Sequence, residues 1–104
     1  MRPAHRFAMN ASVGLLTIEL RLPGNGSLKG KRGILKPIMA RLRNEFNVSV
    51  AEVDSQDHWQ RAVIAVACVS ADSEYAHGLL TRVVQALQGW RLDAEVTDYD
   101  IEIL

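Results

Sequence analysis

Residues 13–22, VGLLTIELRL, alternate between apolar and polar positions. Leu16, Ile18, Leu20 and Leu22 point one way and Thr17, Glu19 and Arg21 the other, the two-residue period of a strand with one buried face. PGNG, residues 23–26, breaks the run. From Ser27 the period lengthens. Leu28, Leu35, Met39, Leu42 and Phe46 fall in one angular band at about 100° per residue, with Ile38 on its flank. This predicts a helix capped by Ser27 and ending near Phe46 and Asn47. Three residues oppose it. Gly30 and Gly33 each cost about 1 kcal/mol relative to Ala in a helix interior. Pro37 lacks the N–H that would reach the carbonyl of Gly33, and its ring crowds that carbonyl. A kink or an irregular turn is therefore expected around residues 33–37.

VSVAEV, residues 48–53, predicts a short strand, and DSQDHWQR, residues 54–61, a polar loop. AVIAVACVS, residues 62–70, is apolar on both alternations, as befits a central strand. A second helix is capped by Asp72 or Ser73, runs through Tyr75, Leu79, Leu80, Val83, Val84 and Leu87, and stops at Gly89. AEVTDYDIEIL, residues 94–104, closes the chain as a strand, with Tyr99, Ile101 and Ile103 opposite Asp98, Asp100 and Glu102. The order β-α-β-β-α-β predicts an α+β fold. It is a ferredoxin-like βαββαβ sandwich, an antiparallel four-stranded sheet with two helices on one face. The second and fourth strands then lie at the sheet edges. Residues 13–104 read as a single ferredoxin-like domain, preceded by a flexible N-terminal extension over 1–12 in which Met9 is an alternative start. No internal repeat and no linker marks a second domain.

Composition changes this picture little. The chain is 48% hydrophobic and 23% charged, ordinary for a globular domain. It has no apolar run long enough to span a bilayer, so no membrane association is expected. Glu19 and Arg21 interrupt the apolar run that follows the basic N-terminus, which argues against a secretory signal. Cys68 is the sole cysteine and lies in an apolar run, which fits a buried thiol in a reducing cytoplasm.

Charge changes it more. Lys and Arg balance Asp and Glu overall, twelve against twelve, yet residues 1–47 carry nine basic and two acidic residues and residues 48–104 carry three and ten. The first helix holds Lys29, Lys31, Arg32, Lys36, Arg41 and Arg43 before its first acid, Glu45, and no Asp or Glu occurs from residue 20 to 44. On a helical wheel Lys29, Arg32, Lys36 and Arg43 share one side, beside the apolar band. A solvated basic face that snorkels over the core edge explains the run. A footprint for RNA phosphates explains it too, and accounts for the missing acids.

Other motifs are weaker. A phosphate loop needs G-x-x-x-x-G-K-[ST], and GNGSLKGKRG, residues 24–33, has Asn25 where the first Gly belongs and Arg32 where the hydroxyl belongs. An RNA-binding open sheet needs strand aromatics and basic flanks, whereas Glu19, Glu52, Asp98, Asp100 and Glu102 are expected to face outward here. In DHWQR, residues 57–61, Asp57 could orient His58, but no nucleophile or third partner is evident, and Trp59 suits packing over a sheet edge. His5, His58, His77 and Cys68 have no close metal spacing, and no cofactor is expected.

S-L-K-x-K-R from Ser27, R-L-R-x-x-F-N-V-S-V-A-E-V from Arg41 and D-x-W-Q-R from Asp57 resemble the signature region of the YlxP-like proteins, a small bacterial family of unknown function. The resemblance spans residues 27–70. It implies a ferredoxin-like fold and no established enzymatic activity. Genes of this family tend to lie near those of translation-initiation and ribosome-binding factors, which implies an RNA-linked role. Gly30, Gly33 and Pro37 depart from the helix-friendly residues usual there.

Together these readings lead to a non-enzymatic accessory protein that docks on structured RNA, in a ribosome-assembly or translation context. Lys29, Lys31, Arg32, Lys36, Arg41 and Arg43 are its expected phosphate contacts, with Trp59 and Arg61 extending the surface. A homodimer through the second strand or the open sheet face is expected, which leaves the basic helix free. The competing reading is a structural homo-oligomer in which that helix meets Asp98, Asp100 and Glu102 of another copy.

Overall fold

Leu16, Ile18, Leu20 and Leu22 are wholly buried, and the residues between them are not. The alternation thus folds as a strand with one face against a core. The structure, a computed structural model, describes residues 10–104; the alternative start at Met9 and most of the expected extension lie outside the described residues. In chain order come β1 (Ser12–Arg21), α1 (Leu28–Glu45), β2 (Ser49–Asp54), β3 (Arg61–Ser70), α2 (Ser73–Gly89) and β4 (Glu95–Ile103). The strands form one antiparallel sheet in the order β2-β3-β1-β4. This is the ferredoxin-like arrangement, with β2 and β4 at the edges.

Register decides which side chains meet the helices. Leu16 pairs with Val66 and Ile101, and Ile18 with Ile64 and Tyr99, so these residues share the helix-covered face. Leu35, Ile38 and Leu42 of α1 and Leu79, Leu80, Val83, Val84 and Leu87 of α2 close the core over them. Cys68 belongs to the same core as a free, buried thiol. On the other face Thr17 lies between Ala65 and Asp100, and Leu15 between Ala67 and Glu102. That face is apolar along β3 and acidic along β4.

Three details depart from expectation. Helical structure continues through Pro37 without an irregular turn. Both Pro37 and Gly33 are exposed, so the carbonyl deprived of its donor lies on the solvent side, where water can supply one. The second helix is not stopped by a left-handed glycine. Gly89 is its last helical residue, and Trp90 caps it in an extended conformation while packing against the core. Glu52, expected on the open face, lies on the helix side. It pairs with Ile64, itself buried under the helices, and it shares the parity of Val50. A register shift after Glu52 then brings Asp54 opposite Val63.

Among the described residues, no helix is long and apolar enough to cross a membrane.

Candidate functional site

The basic residues of α1 separate into three groups once the helix is packed. Positions 31, 35, 38 and 42 recur at helical spacing, and all four are buried. Lys31 is therefore the N-terminal end of the apolar stripe, only 2% exposed. Its ammonium lies 2.8 Å from Glu52 Oε2 and donates to the Ser55 carbonyl at 2.6 Å. The two charges meet directly, the ammonium lying at hydrogen-bond distance from the buried carboxylate oxygen. Lys31 thus corrects the expectation of an exposed phosphate contact: it is an internal anchor between helix and loop. Arg41 is on another side of the helix, with its guanidinium 3.9 Å from the centre of the Trp90 ring and 3.2 Å from Glu45.

Lys29, Arg32, Lys36 and Arg43 remain, all exposed. The first and last are fourteen positions apart, about 21 Å along the helix axis. The first helical turn contains no acid, and Ser27 caps it by accepting a hydrogen bond from the Gly30 N–H at 2.9 Å. At the far end Arg43 also donates to the Val50 carbonyl of the edge strand at 2.8 Å. Beneath the stripe, between α1 and β2, lies a cleft of about 360 Å³ with Leu28, Leu35 and Met39 among its walls and Arg32 and Lys36 at its rim.

The loop joining β2 to β3 is fastened to the start of this helix. Asn25 Nδ2 donates to the Trp59 carbonyl at 2.6 Å and to the Ser27 carbonyl at 2.8 Å. Gln60 Nε2 returns a bond to the Asn25 carbonyl at 3.2 Å, and the Leu22 N–H reaches the Gln60 carbonyl at 2.9 Å. Inside the loop Ser55 adopts a left-handed φ of 60°. Its carbonyl accepts from Lys31 and from the His58 N–H, and its hydroxyl accepts from Arg61. Trp59 stands out from this framework, 54% exposed.

Arg61 is less free than its position in the sequence implied. Its guanidinium meets Glu19 at 2.7 Å, and Thr97 donates to the same carboxylate at 3.0 Å. The hydrogen bond from Arg61, then that from Thr97, holds the Glu19 carboxyl below its ordinary pKa. Arg61 is thus charge-matched and serves to brace the loop.

The structure brings Lys29, Arg32, Lys36 and Arg43 together, sets Trp59 at the end where that stripe begins, and diverts Lys31, Arg41 and Arg61 to other partners. Asn25 and Ser55 were missed. The reason for Gly30, a Cβ that would collide with the Asn25 Oδ1 atom, appears only in the folded chain. Nothing in the sequence announced the strained Ser55. His58 is exposed. Among the described residues no group of three or more His, Cys, Asp or Glu is arranged to hold a metal.

Comparison with known proteins agrees with this fold. Residues 13–101 match the family described as protein of unknown function, DUF503. The chain is 40% identical over 72 residues to the uncharacterized protein YlxP of Bacillus subtilis (strain 168), an overlap covering 69% of this chain and 78% of that one. Among solved structures it is similar to the de novo designed protein Foldit4, with a TM-score of 0.51 at 16% identity over 90% of this chain and 96% of that one. A likeness at that identity concerns the fold alone.

Proposed function

The chain belongs to the DUF503 family, and from that footing we propose that it is a non-enzymatic accessory protein that docks on structured RNA through α1. One observation carries this reading: Lys29, Arg32, Lys36 and Arg43 form an exposed stripe along a helix whose first acid is Glu45. Lys31 pairs with Glu52 at 2.8 Å, so that carboxylate is already charge-matched where it lines the cleft beside Arg32 and Lys36. Four cations along about 21 Å suit a polyanion with regularly spaced charge. A protein serving ribosomal RNA or translation in the cytoplasm is the cellular setting that this surface fits.

The test is charge reversal on the stripe. Lys29→Glu places an acid in the first turn of the helix, where the macrodipole favours it, and Lys36→Glu changes an exposed position, so the fold is expected to survive both. The double variant should lose RNA binding at low salt while keeping its circular dichroism. Undiminished binding overturns the proposal.

One further observation favours self-association. The open face carries Leu15, Ala65 and Ala67 in register, with Val69 71% exposed at its end, an apolar strip that a second copy would cover. Pairing through the β2 edge is disfavoured, because Arg43 already occupies the Val50 carbonyl and a second basic helix would approach the first. A homodimer through the open face leaves α1 accessible.

A further inference from the structure

We infer that Trp59 is a stacking platform for an unpaired nucleobase, so that the RNA recognised at this surface is single-stranded or looped where it leaves the basic stripe. The inference rests on the RNA-docking reading and adds to it a class of substrate and a specific contact.

Three observations carry it. The first is a contrast between the two tryptophans. Trp90 packs against the core with the Arg41 guanidinium over its ring, whereas Trp59 is 54% exposed. An indole left in water forfeits the burial that ordinarily stabilises it.

The second is that this exposure is held in place. The backbone on either side of Trp59 is fixed by bonds from Asn25 to the Trp59 carbonyl, from Leu22 to the Gln60 carbonyl and from His58 to the Ser55 carbonyl. Lys31 and Arg61 then fasten Ser55 from the helix and from β3. A loop anchored this firmly has little backbone entropy left to lose when the exposed ring meets a ligand.

The third is the distribution of charge. One Asn25 amide bonds both the Trp59 and the Ser27 carbonyls, which places the loop at the N-terminal end of α1, where the stripe starts with Lys29 and Arg32. Around the indole itself the cations are spent. Arg61 is matched by Glu19, and Asp57 is exposed two residues away. The helix therefore attracts phosphates and the loop does not, while the loop offers an aromatic face. A strand whose backbone follows the helix would deliver a base to the loop. A base inside a duplex is already stacked on both faces by its neighbours, so it must leave the stack before it can lie on Trp59.

The experiment compares a short single-stranded RNA with a duplex of the same length, by fluorescence anisotropy at one low salt concentration, on wild type and Trp59→Ala. The substitution is expected to weaken single-strand binding by roughly tenfold or more and to leave duplex binding unchanged. Trp59→Phe should retain most of the affinity, because a phenyl ring still stacks. Thermal melts of each variant confirm that the exposed position leaves the fold intact. If Trp59→Ala weakens neither RNA, or both equally, the platform is refuted. If both RNAs bind and only Lys29→Glu with Lys36→Glu abolishes binding, the platform falls while RNA docking stands. If wild type binds neither RNA, both fall together.

Discussion

Gly30 and Gly33 stand three residues apart in one helix under opposite constraints. A Cβ at Gly30 would collide with the Asn25 carboxamide oxygen and crowd the Ser27 hydroxyl, whereas a Cβ at Gly33 would meet nothing. The same substitution should therefore have opposite signs at the two sites. Gly33→Ala is expected to raise stability by about 1 kcal/mol through helix propensity alone. Gly30→Ala must push the Asn25 carboxamide aside, and its bonds to the Ser27 and Trp59 carbonyls are expected to weaken with the shift. It should lower stability in denaturant titrations despite the better propensity. A stabilised Gly30→Ala variant would show that Asn25 is not the clamp described. At this scale the sequence was only partly legible. Lys31 occupies a core position that the 31, 35, 38, 42 spacing already encodes, but its charge suggested the surface. Its true partners, Glu52 and the Ser55 carbonyl, lie more than twenty residues away, and only the folded sheet brings them to it.

Periodicity identified all six elements, because each apolar face repeats with its own period against one core. Propensity foretold a kink or an irregular turn around residues 33–37. Of the two the irregular turn is absent, since helical structure runs from Leu28 to Glu45. The lost hydrogen bond faces solvent and costs the helix without breaking it. Pro37→Ala should accordingly stabilise the protein by about 1 kcal/mol or more, read as a shift of the urea midpoint at constant slope. A destabilised variant would mean that the pyrrolidine ring packs in a way its exposure does not suggest. The register shifts in β2 and β4 were not legible, since a bulge is set by the pairing of two strands and leaves no period of its own. The shift after Glu52 is the one that matters for the site, because Ser55 and the loop that carries Trp59 follow directly from it.

Across the whole molecule the near-zero net charge conceals two surfaces. The exposed stripe of α1 is basic, and the open face of the sheet is acidic along β4, where Asp98, Asp100 and Glu102 stand beside Glu19, Thr17 and Leu15. The halves of the sequence foretold this separation, although the reversed side of Glu52 shows that strand parity had to be seen to be counted. If the apolar strip on β1 and β3 is covered by a second copy, static light scattering should report a dimer whose mass is indifferent to salt. A dimer that dissociates in high salt would instead join basic helix to acidic strand and remove α1 from RNA. The central claim is that α1 binds RNA by its four exposed cations, and the salt dependence of binding tests it most directly. For single-stranded RNA, the plot of log affinity against log salt should be linear with a slope of about −3, the value for roughly four neutralised phosphates. Affinity that does not change with salt, or no binding at the lowest salt, would contradict it.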